Sequence, residues 1–209
     1  IAKEMGFKTL VGAWIDKNLQ QNEAELTNLK SLIADGVVDI ASVGNEVLFR
    51  NDVNEDLLLE YILQVKQIAG NVPVGFVDVY YEVIGHQRLV DVSDILMINC
   101  YPYWEGADIK FASLYLQEMY HKVSQIAEGK KIVITETGWP SKGQNVRDAE
   151  PSNENVMRYV ADISEWSKAR DIEMFYFSSF DESWKIHSEG WAGTSWGLWD
   201  KNEKFKFND

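Results

Sequence analysis

A chain of 209 residues that is 45% hydrophobic can bury one sizeable core, so we expect a single domain over residues 1–209. Its formal net charge of -13 disfavours nucleic acid and anionic membrane surfaces as partners, because both repel an acidic protein. No apolar run approaches the roughly 18 to 20 residues that a membrane-spanning helix needs.

Strand-like apolar runs alternate with amphipathic helical stretches along the whole chain. The predicted strands are residues 8–14, 39–43, 74–79, 95–99, 131–135 and 174–178. The predicted helices are residues 22–34, 56–69, 111–128 and 153–169, with a short one at 81–91. Their apolar residues recur at spacings of three and four, as in Leu26, Leu29 and Ile33. This alternation predicts a parallel sheet built from βα units.

Capping residues support these helix boundaries. Asn22 and Ser152 are candidates for the residue before a helix, and Gly36, Gly70 and Gly129 follow helical runs. The longest irregular stretches are residues 138–151 and 181–196, and both follow predicted strands. Loops after strands form the active face of an α/β barrel, so these two stretches are where a site is expected.

The number of strands leaves two architectures open. Six strands do not close a TIM (β/α)8 barrel, which usually needs about 250 residues. If the α/β fold is such a barrel, about six of its eight βα units are present and the first two strands are missing. The chain is predicted to start in the middle of a helix at residues 1–6, which places the missing units before the first residue. A doubly wound open sheet needs no further strands and is the competing architecture.

The first candidate for catalysis is the carboxyl group of Glu46. It follows Gly44 and Asn45 at the end of the apolar run at 40–43. A carboxyl at the carboxyl end of a barrel strand projects into the barrel mouth, where partial burial can keep it protonated near neutral pH. Asn45 would suit a hydrogen bond to a sugar hydroxyl. As an isolated pattern, Asn-Glu favours a capping or solvated glutamate over a catalytic one.

The second candidate is Glu136, which ends the strand predicted at 131–135. Gly138, Trp139 and Pro140 follow it, which predicts a turn that places an indole beside the carboxylate. Two strand-end glutamates can converge on one pocket if the sheet curls. A glycosidase needs such a pair, one acid to protonate the leaving oxygen and one carboxylate to attack the anomeric carbon.

The strings around these glutamates are similar to those of one enzyme family. VGNE at 43–46 and TETGWPS at 135–141 resemble glycoside hydrolase family 17, and INCYPY at 98–103 fits the same pattern. FDESWK at 180–185 and WGLWD at 196–200 resemble its bacterial and fungal branches. The resemblance implies a TIM barrel that acts on β-1,3-glucan, such as laminarin, by retaining double displacement. It also implies an extracellular, periplasmic or cell-wall location and a monomer when intact.

The resemblance also implies roles for individual residues. Glu46 becomes the general acid/base and Glu136 the nucleophile, while Tyr101 is expected to donate its hydroxyl to Glu136. Glu182 and Lys185 match positions that contact sugar hydroxyls or the acid/base. The candidates for lining the cleft are Trp139, Phe180, Trp184 and Trp196, and for each of these four a place in an aromatic core is an equally open interpretation.

No cofactor or metal is expected. The three histidines, His86, His121 and His187, are scattered without the spacing of a metal site. Residues 51–56 are rich in acidic side chains but lack the glycine and glutamate of a calcium loop. The single cysteine, Cys100, lies in an apolar run and is interpreted as a small buried hydrophobe.

Two other classes of function stay open. One is a barrel that binds carbohydrate without catalysis, and the other is a retaining barrel glycosidase acting on mannan, xylan or cellulose, since barrels host many chemistries. Within the family, hydrolysis versus transglycosylation and endo versus exo action also stay open.

Overall fold

The computed structural model describes residues 1–207, and its backbone separates into two compact units. The first unit comprises Ile1–Asn99 and Lys122–Val133, and the second comprises Cys100–His121 and the described residues from Ile134 onward. The strands are β1 (Leu10–Ala13), β2 (Ile40–Asn45), β3 (Val74–Val79), β4 (Ile95–Asn99), β5 (Lys131–Thr137) and β6 (Met174–Tyr176). The helices are α1 (Leu19–Ala34), α2 (Glu55–Lys66), α3 (Tyr80–Gly85), α4 (Gln87–Val92), α5 (Ile109–Ser124), α6 (Asn153–Arg170) and α7 (Ile186–Gly193), with a 3-10 turn at Ser183–Lys185.

In the first unit, β1 to β4 pair in chain order and all pairs are parallel. Every residue of β4 is buried, as expected of a parallel strand that is covered on both faces. The pairing of β3 with β4 leaves no space for a side chain at Gly75, where a Cβ would lie 2.3 Å from the carbonyl oxygen of Ile95. The register of β2 against β3 shifts between Ser42 and Asn45, just before Glu46.

The second unit contains the part of β5 from Ile134 onward, which pairs in parallel with β6, Ile134 opposite Met174 and Thr137 opposite Tyr176. Its interior is aromatic, and the largest fully buried side chains of the described chain include Trp139, Trp196, Tyr103 and Tyr159. Rings of this size bury large apolar areas and prefer edge-to-face contacts, which Tyr103 makes with both Trp139 and Trp196. No helix among residues 1–207 is long and apolar enough to cross a membrane.

Two details of the predicted helices are wrong for local physical reasons. Asn18, and not Asn22, caps α1 by accepting from the backbone of Gln21. Asn22 is buried inside the helix, where its side chain bonds to the backbone N–H and C=O of Asp16. The single helix predicted at 81–91 is two, because His86 leaves the helical conformation at φ -124° and ψ 68°. The prediction of Ser152 as a cap is confirmed, since it accepts from the backbone of Asn155.

The first residues form turns and not a regular helix, but their hydrogen bonds are those of a helix end. Phe7 N–H donates to Ala2 and Gly6 N–H donates to Lys3, with Gly6 at φ 83°. This pair of bonds is the Schellman pattern that closes many helices. The stretch 181–196, predicted to be irregular, contains the 3-10 turn and α7.

Candidate active site

The backbone at Glu46 adopts an uncommon conformation directly after β2. Gly44 and Glu46 have φ values of 81° and 54°, and a Cβ at Gly44 would lie 2.3 Å from a methyl carbon of Val47. For a residue with a side chain, the left-handed region is unfavourable by about 1 kcal/mol. The Glu46 N–H donates to the carbonyl of Val77 at 2.9 Å, which ties this turn to β3.

The carboxyl group of Glu46 is oriented by Asn99 at the end of β4. The Asn99 amide donates to Glu46 Oε1 at 2.9 Å and to Asn45 Oδ1 at 3.1 Å. Asn99 is 1% exposed, so this amide is held away from bulk water. Glu46 and Asn45 therefore share one donor, which fixes both side chains relative to each other. Asn99 belongs to the string INCYPY at 98–103, but its partner Glu46 is 53 residues away along the chain, and only the fold brings the two together.

Arg50 supports the same turn from the other side. Its guanidinium donates to the carbonyl oxygens of Asn45 and Ile15, pairs with Asp52 at 2.7 Å and lies 4.5 Å from the ring centre of Trp14. A planar guanidinium can serve several acceptors and an aromatic face at once. The sequence did not single out Arg50, because none of these contacts follows from spacing alone.

A second carboxyl group, Asp78, is completely buried at the end of β3. It accepts hydrogen bonds from the backbone N–H groups of Leu48 and Val79, both at 2.9 Å. Burial raises the pKa of Asp78 to about 6, the two N–H donors oppose that shift, and the charges of Glu46 and Glu82 add to it. Sequence reasoning missed Asp78, whose signal was an aspartate at the end of an apolar strand.

In the second unit, Glu136 lies in β5, with its side chain half-buried. The Tyr101 hydroxyl donates to Glu136 Oε2 at 2.6 Å, and the Glu136 carbonyl accepts from the backbone of Cys100 at 2.9 Å. A short hydrogen bond to a carboxylate is charge-assisted and favours the ionised form, which a nucleophile requires. The ring of Tyr101 is held by edge contacts with Trp196 and Phe177, at centroid distances of 5.2 Å and 6.1 Å.

The four aromatic residues proposed for the cleft divide into two pairs. Trp139 and Trp196 are 0% and 2% exposed, so the core interpretation describes their positions. The Trp139 indole N–H is used within the fold, donating to the carbonyl of Glu150 at 2.9 Å. Phe180 and Trp184 are 48% and 69% exposed, so only this pair offers ring faces to a ligand.

Glu182 and Lys185 form one charged pair beside this exposed aromatic surface. Lys185 Nζ lies 2.8 Å from Glu182 Oε2 and 4.2 Å from the ring centre of Phe177. An ammonium over an aromatic face is stabilised by the ring quadrupole. The pair is therefore held in place and can present both a donor and an acceptor to sugar hydroxyls.

Within residues 1–207, no three His, Cys, Asp or Glu side chains are grouped so that they could hold a metal ion. Cys100 is buried and its pKa is raised by burial, which fits a small hydrophobe and not a reactive thiol.

Comparisons with known proteins place this chain in a family. Residues 1–197 match the model of the BtgE/BtgC glycoside hydrolase domain. The solved β-1,3-glucanosyltransferase of Rhizomucor miehei, of glycoside hydrolase family 17, is 34% identical with a TM-score of 0.89 over 98% of this chain and 76% of that one. The Saccharomyces cerevisiae glucan 1,3-beta-glucosidase is 25% identical over 99% of this chain and 74% of its own.

The fold class is also confirmed by more distant structures. An endo-laminarinase from Formosa has a TM-score of 0.83 over 95% of this chain at 20% identity, which is a likeness of fold alone. The six parallel strands and their helices are part of the α/β TIM barrel of these enzymes, and the doubly wound alternative is wrong. The match to the domain model, together with the 34% identity to a solved member, shows that the chain belongs to glycoside hydrolase family 17.

Proposed function

We propose that this chain is a retaining glycoside hydrolase acting on β-1,3-glucan, with Glu46 as acid/base and Glu136 as nucleophile. The observation that carries the substrate class is the 34% identity to the Rhizomucor miehei glucanosyltransferase, of which an active-site mutant is solved in complex with laminaritriose. The carbohydrate-binding alternative is disfavoured because both carboxyl groups are present and each has a hydrogen-bond partner suited to its role.

The proposed chemistry has two steps. First, an oxygen of Glu136 forms a bond to the anomeric carbon while the glycosidic C–O bond breaks, and the proton of Glu46 goes to the leaving oxygen. In the second step, Glu46 takes a proton from water or from a sugar hydroxyl, whose oxygen attacks the anomeric carbon and releases the Glu136 carboxylate. Retention by this route requires the two carboxyl groups to be about 5 Å apart.

Local contacts support this division of roles. Tyr101 donates to Glu136 and so favours the carboxylate that attacks. Because Asn99 donates to Glu46 Oε1, the proton that Glu46 delivers is carried by its other oxygen, Oε2. The side-chain amide of Asn45, held by Asn99, would bind the sugar 2-hydroxyl.

The aromatic contacts are assigned by exposure, and those of Glu182 and Lys185 by the family resemblance. Phe180 and Trp184 would stack on sugar rings, and Glu182 and Lys185 would bind sugar hydroxyls. Trp139 and Trp196, being buried, would shape the site from behind and not stack on sugar. Because a polysaccharide cannot cross a membrane, we also propose an extracellular or cell-wall location.

The anomeric outcome tests the mechanism. Laminari-oligosaccharides incubated with the protein should give the β-anomer first, as followed by proton NMR before mutarotation. An α-anomer appearing first would overturn the retaining assignment. Activity on mannan, xylan or cellulose oligosaccharides in the same assay, with none on laminari-oligosaccharides, would overturn the substrate class.

Glutamine variants test the roles of the two carboxyl groups. Glu46→Gln and Glu136→Gln should each lower kcat by at least about a thousandfold while circular dichroism stays unchanged. Glu165→Gln, on the exposed face of α6, is the matched control and should keep full activity. Full activity in either of the first two variants would refute the role assigned to that residue.

Transglycosylation is a second candidate activity, favoured by the name of the 34% identical relative. It differs only in the acceptor of the second step. Products longer than the starting oligosaccharide, appearing at high substrate concentration, would support transfer. Products that are only shorter at every concentration would leave hydrolysis as the activity.

A further inference from the structure

Asp78 is a buried carboxyl group to which the proposed reaction assigns no role. Its side chain is 0% exposed and accepts two backbone N–H groups, Oδ2 from Leu48 and Oδ1 from Val79. Asp78 and Glu46 also interact electrostatically, since the charge of Glu46 is one of the causes that raise the pKa of Asp78. These facts place Asp78 directly behind the turn that carries Glu46.

Two consecutive residues of β3 hold this turn on either side of Glu46. The Val77 carbonyl accepts the N–H of Glu46 at 2.9 Å, and the Asp78 carboxylate accepts the N–H of Leu48 at 2.9 Å. Between these anchors, Glu46 has a φ of 54°, a conformation that a residue with a side chain keeps only where its surroundings impose it. The anchors therefore fix the direction in which the Glu46 side chain leaves the backbone.

Stability alone does not account for a carboxyl group at this position. Burying a carboxylate is unfavourable, and the nearby charges of Glu46 and Glu82 make it more so. An asparagine could accept from Leu48 with a neutral side chain, but its NH2 group could not accept the N–H of Val79. A carboxyl group accepts both N–H groups at once and so holds β3 and the turn in a single geometry.

We propose that Asp78 is a positioning residue, which holds the 46–48 turn so that the Glu46 carboxyl reaches the leaving oxygen of the substrate. The proposal rests on the acid/base role proposed for Glu46. Asp78 fixes the backbone of Glu46, while Asn99 fixes its carboxyl group. A displacement of about 1 Å at an acid catalyst can lower a rate by about a hundredfold.

Dependence on the leaving group tests this proposal. A sugar leaving group needs protonation, whereas dinitrophenolate leaves readily without it, so a misplaced acid slows only the first kind of substrate. Asp78→Asn should lower kcat/KM for laminaritetraose at least about tenfold more than for dinitrophenyl β-laminaribioside. Asp78→Ser, whose hydroxyl can still accept one N–H, provides the same comparison if the asparagine variant does not fold.

Asp94→Asn is the matched control. Asp94 also accepts a backbone N–H of β3, that of Val74 at 3.1 Å, but it does so at the opposite end of the strand. This variant should lose some stability and lower kcat/KM for both substrates in equal proportion. Glu46→Ala is the reference, and it should show a strong leaving-group dependence. It should also be accelerated by azide, an anion that attacks the anomeric carbon of the glycosyl-enzyme in place of water and needs no general base.

The outcomes separate the two proposals. If Asp78→Asn and Asp78→Ser lower kcat/KM equally for both substrates, as is expected of Asp94→Asn, the positioning role is refuted while the role of Glu46 stands. If Glu46→Ala itself shows neither leaving-group dependence nor azide acceleration, the acid/base assignment of Glu46 is refuted. Both proposals are supported if the Asp78 variants lose more kcat/KM for laminaritetraose than for dinitrophenyl β-laminaribioside, and if Glu46→Ala shows the same difference to a larger extent.

Discussion

Asparagine in place of Asp78 removes a carboxyl group whose pKa burial raises from its ordinary 3.8 to about 6. Because the folded state binds this proton more tightly than the unfolded chain does, the protonated carboxyl stabilises the fold. That contribution is fully present below about pH 3.8 and is lost as pH rises through about 6. This change of stability with pH is opposite in sign to that of a carboxylate held by an ion pair, which contributes stability at high pH and loses it as pH falls.

The size of the effect follows from the pKa difference. From 3.8 to about 6 there are about two pKa units, and at about 1.4 kcal/mol per unit the full effect is about 3 kcal/mol. In the unfolded chain, the Asp78 carboxyl has its ordinary pKa of 3.8 and is already partly ionised at pH 4. The change expected between pH 4 and pH 8 is therefore about 2 kcal/mol.

Urea unfolding of the wild type and of Asp78→Asn at pH 4 and pH 8 measures this effect. Any hydrogen bond lost in the variant lowers its stability at both pH values and cancels in the comparison. The free energy of unfolding of the wild type, relative to the variant, should fall by about 2 kcal/mol from pH 4 to pH 8. A difference that is constant with pH, or that rises, would refute the burial argument.

Asp39→Asn is a control for which the stability difference between wild type and variant should change with pH in the opposite direction. The hydrogen bond from Lys3 lowers the pKa of Asp39, and the N–H of Thr9 acts in the same direction. The stability contributed by Asp39 is therefore present above its ordinary pKa and lost as pH falls through the lowered value. Relative to its variant, the wild type should lose stability toward low pH and not toward high pH.

Three further predictions concern the candidate site and the fold. Tyr101→Phe removes the 2.6 Å hydrogen bond to Glu136 and should lower kcat/KM on laminari-oligosaccharides by about 10- to 100-fold, since a hydrogen bond to a charged group is worth about 1.5–3 kcal/mol. Gly138→Ala should abolish soluble expression, because its Cβ would lie 2.0 Å from the carbonyl oxygen of Phe177. Asn18→Ala removes the cap of α1 and should lower the free energy of unfolding by about 1 kcal/mol in urea titrations.

Matched variants accompany these predictions. Tyr115→Phe breaks another hydrogen bond between a tyrosine and a glutamate, at 3.2 Å to Glu105, and should leave kcat/KM unchanged. Gly36→Ala introduces a Cβ that meets no atom within 4 Å, so its only strain comes from a φ of 70° and it should still fold. Equal losses in Tyr101→Phe and Tyr115→Phe, or a well-folded Gly138→Ala, would contradict the corresponding argument.

Secondary structure could be predicted from the sequence because local patterns determine it. All six strands lie where apolar runs predicted them, and the long helices follow the apolar spacing of three and four. The errors occur where a side chain makes a contact that spacing does not encode. Asparagine is a residue type favoured at helix caps, but Asn22 is buried and hydrogen-bonded to the backbone of Asp16. The helix α7 was missed because the residues 186–193 carry no clear apolar period.

The sequence by itself determined the βα alternation, the family and the two glutamates at the ends of their strands, because short strings and local periodicity carry that information. Only the tertiary structure decided which side chains surround them. Asn99 and Asp78 meet the Glu46 turn across 53 and 30 residues, and no local pattern encodes contacts at that separation. Burial was decided in the same way: Trp139 lies in the core and Trp184 on the surface, since packing by distant segments determines how much of an indole water can reach.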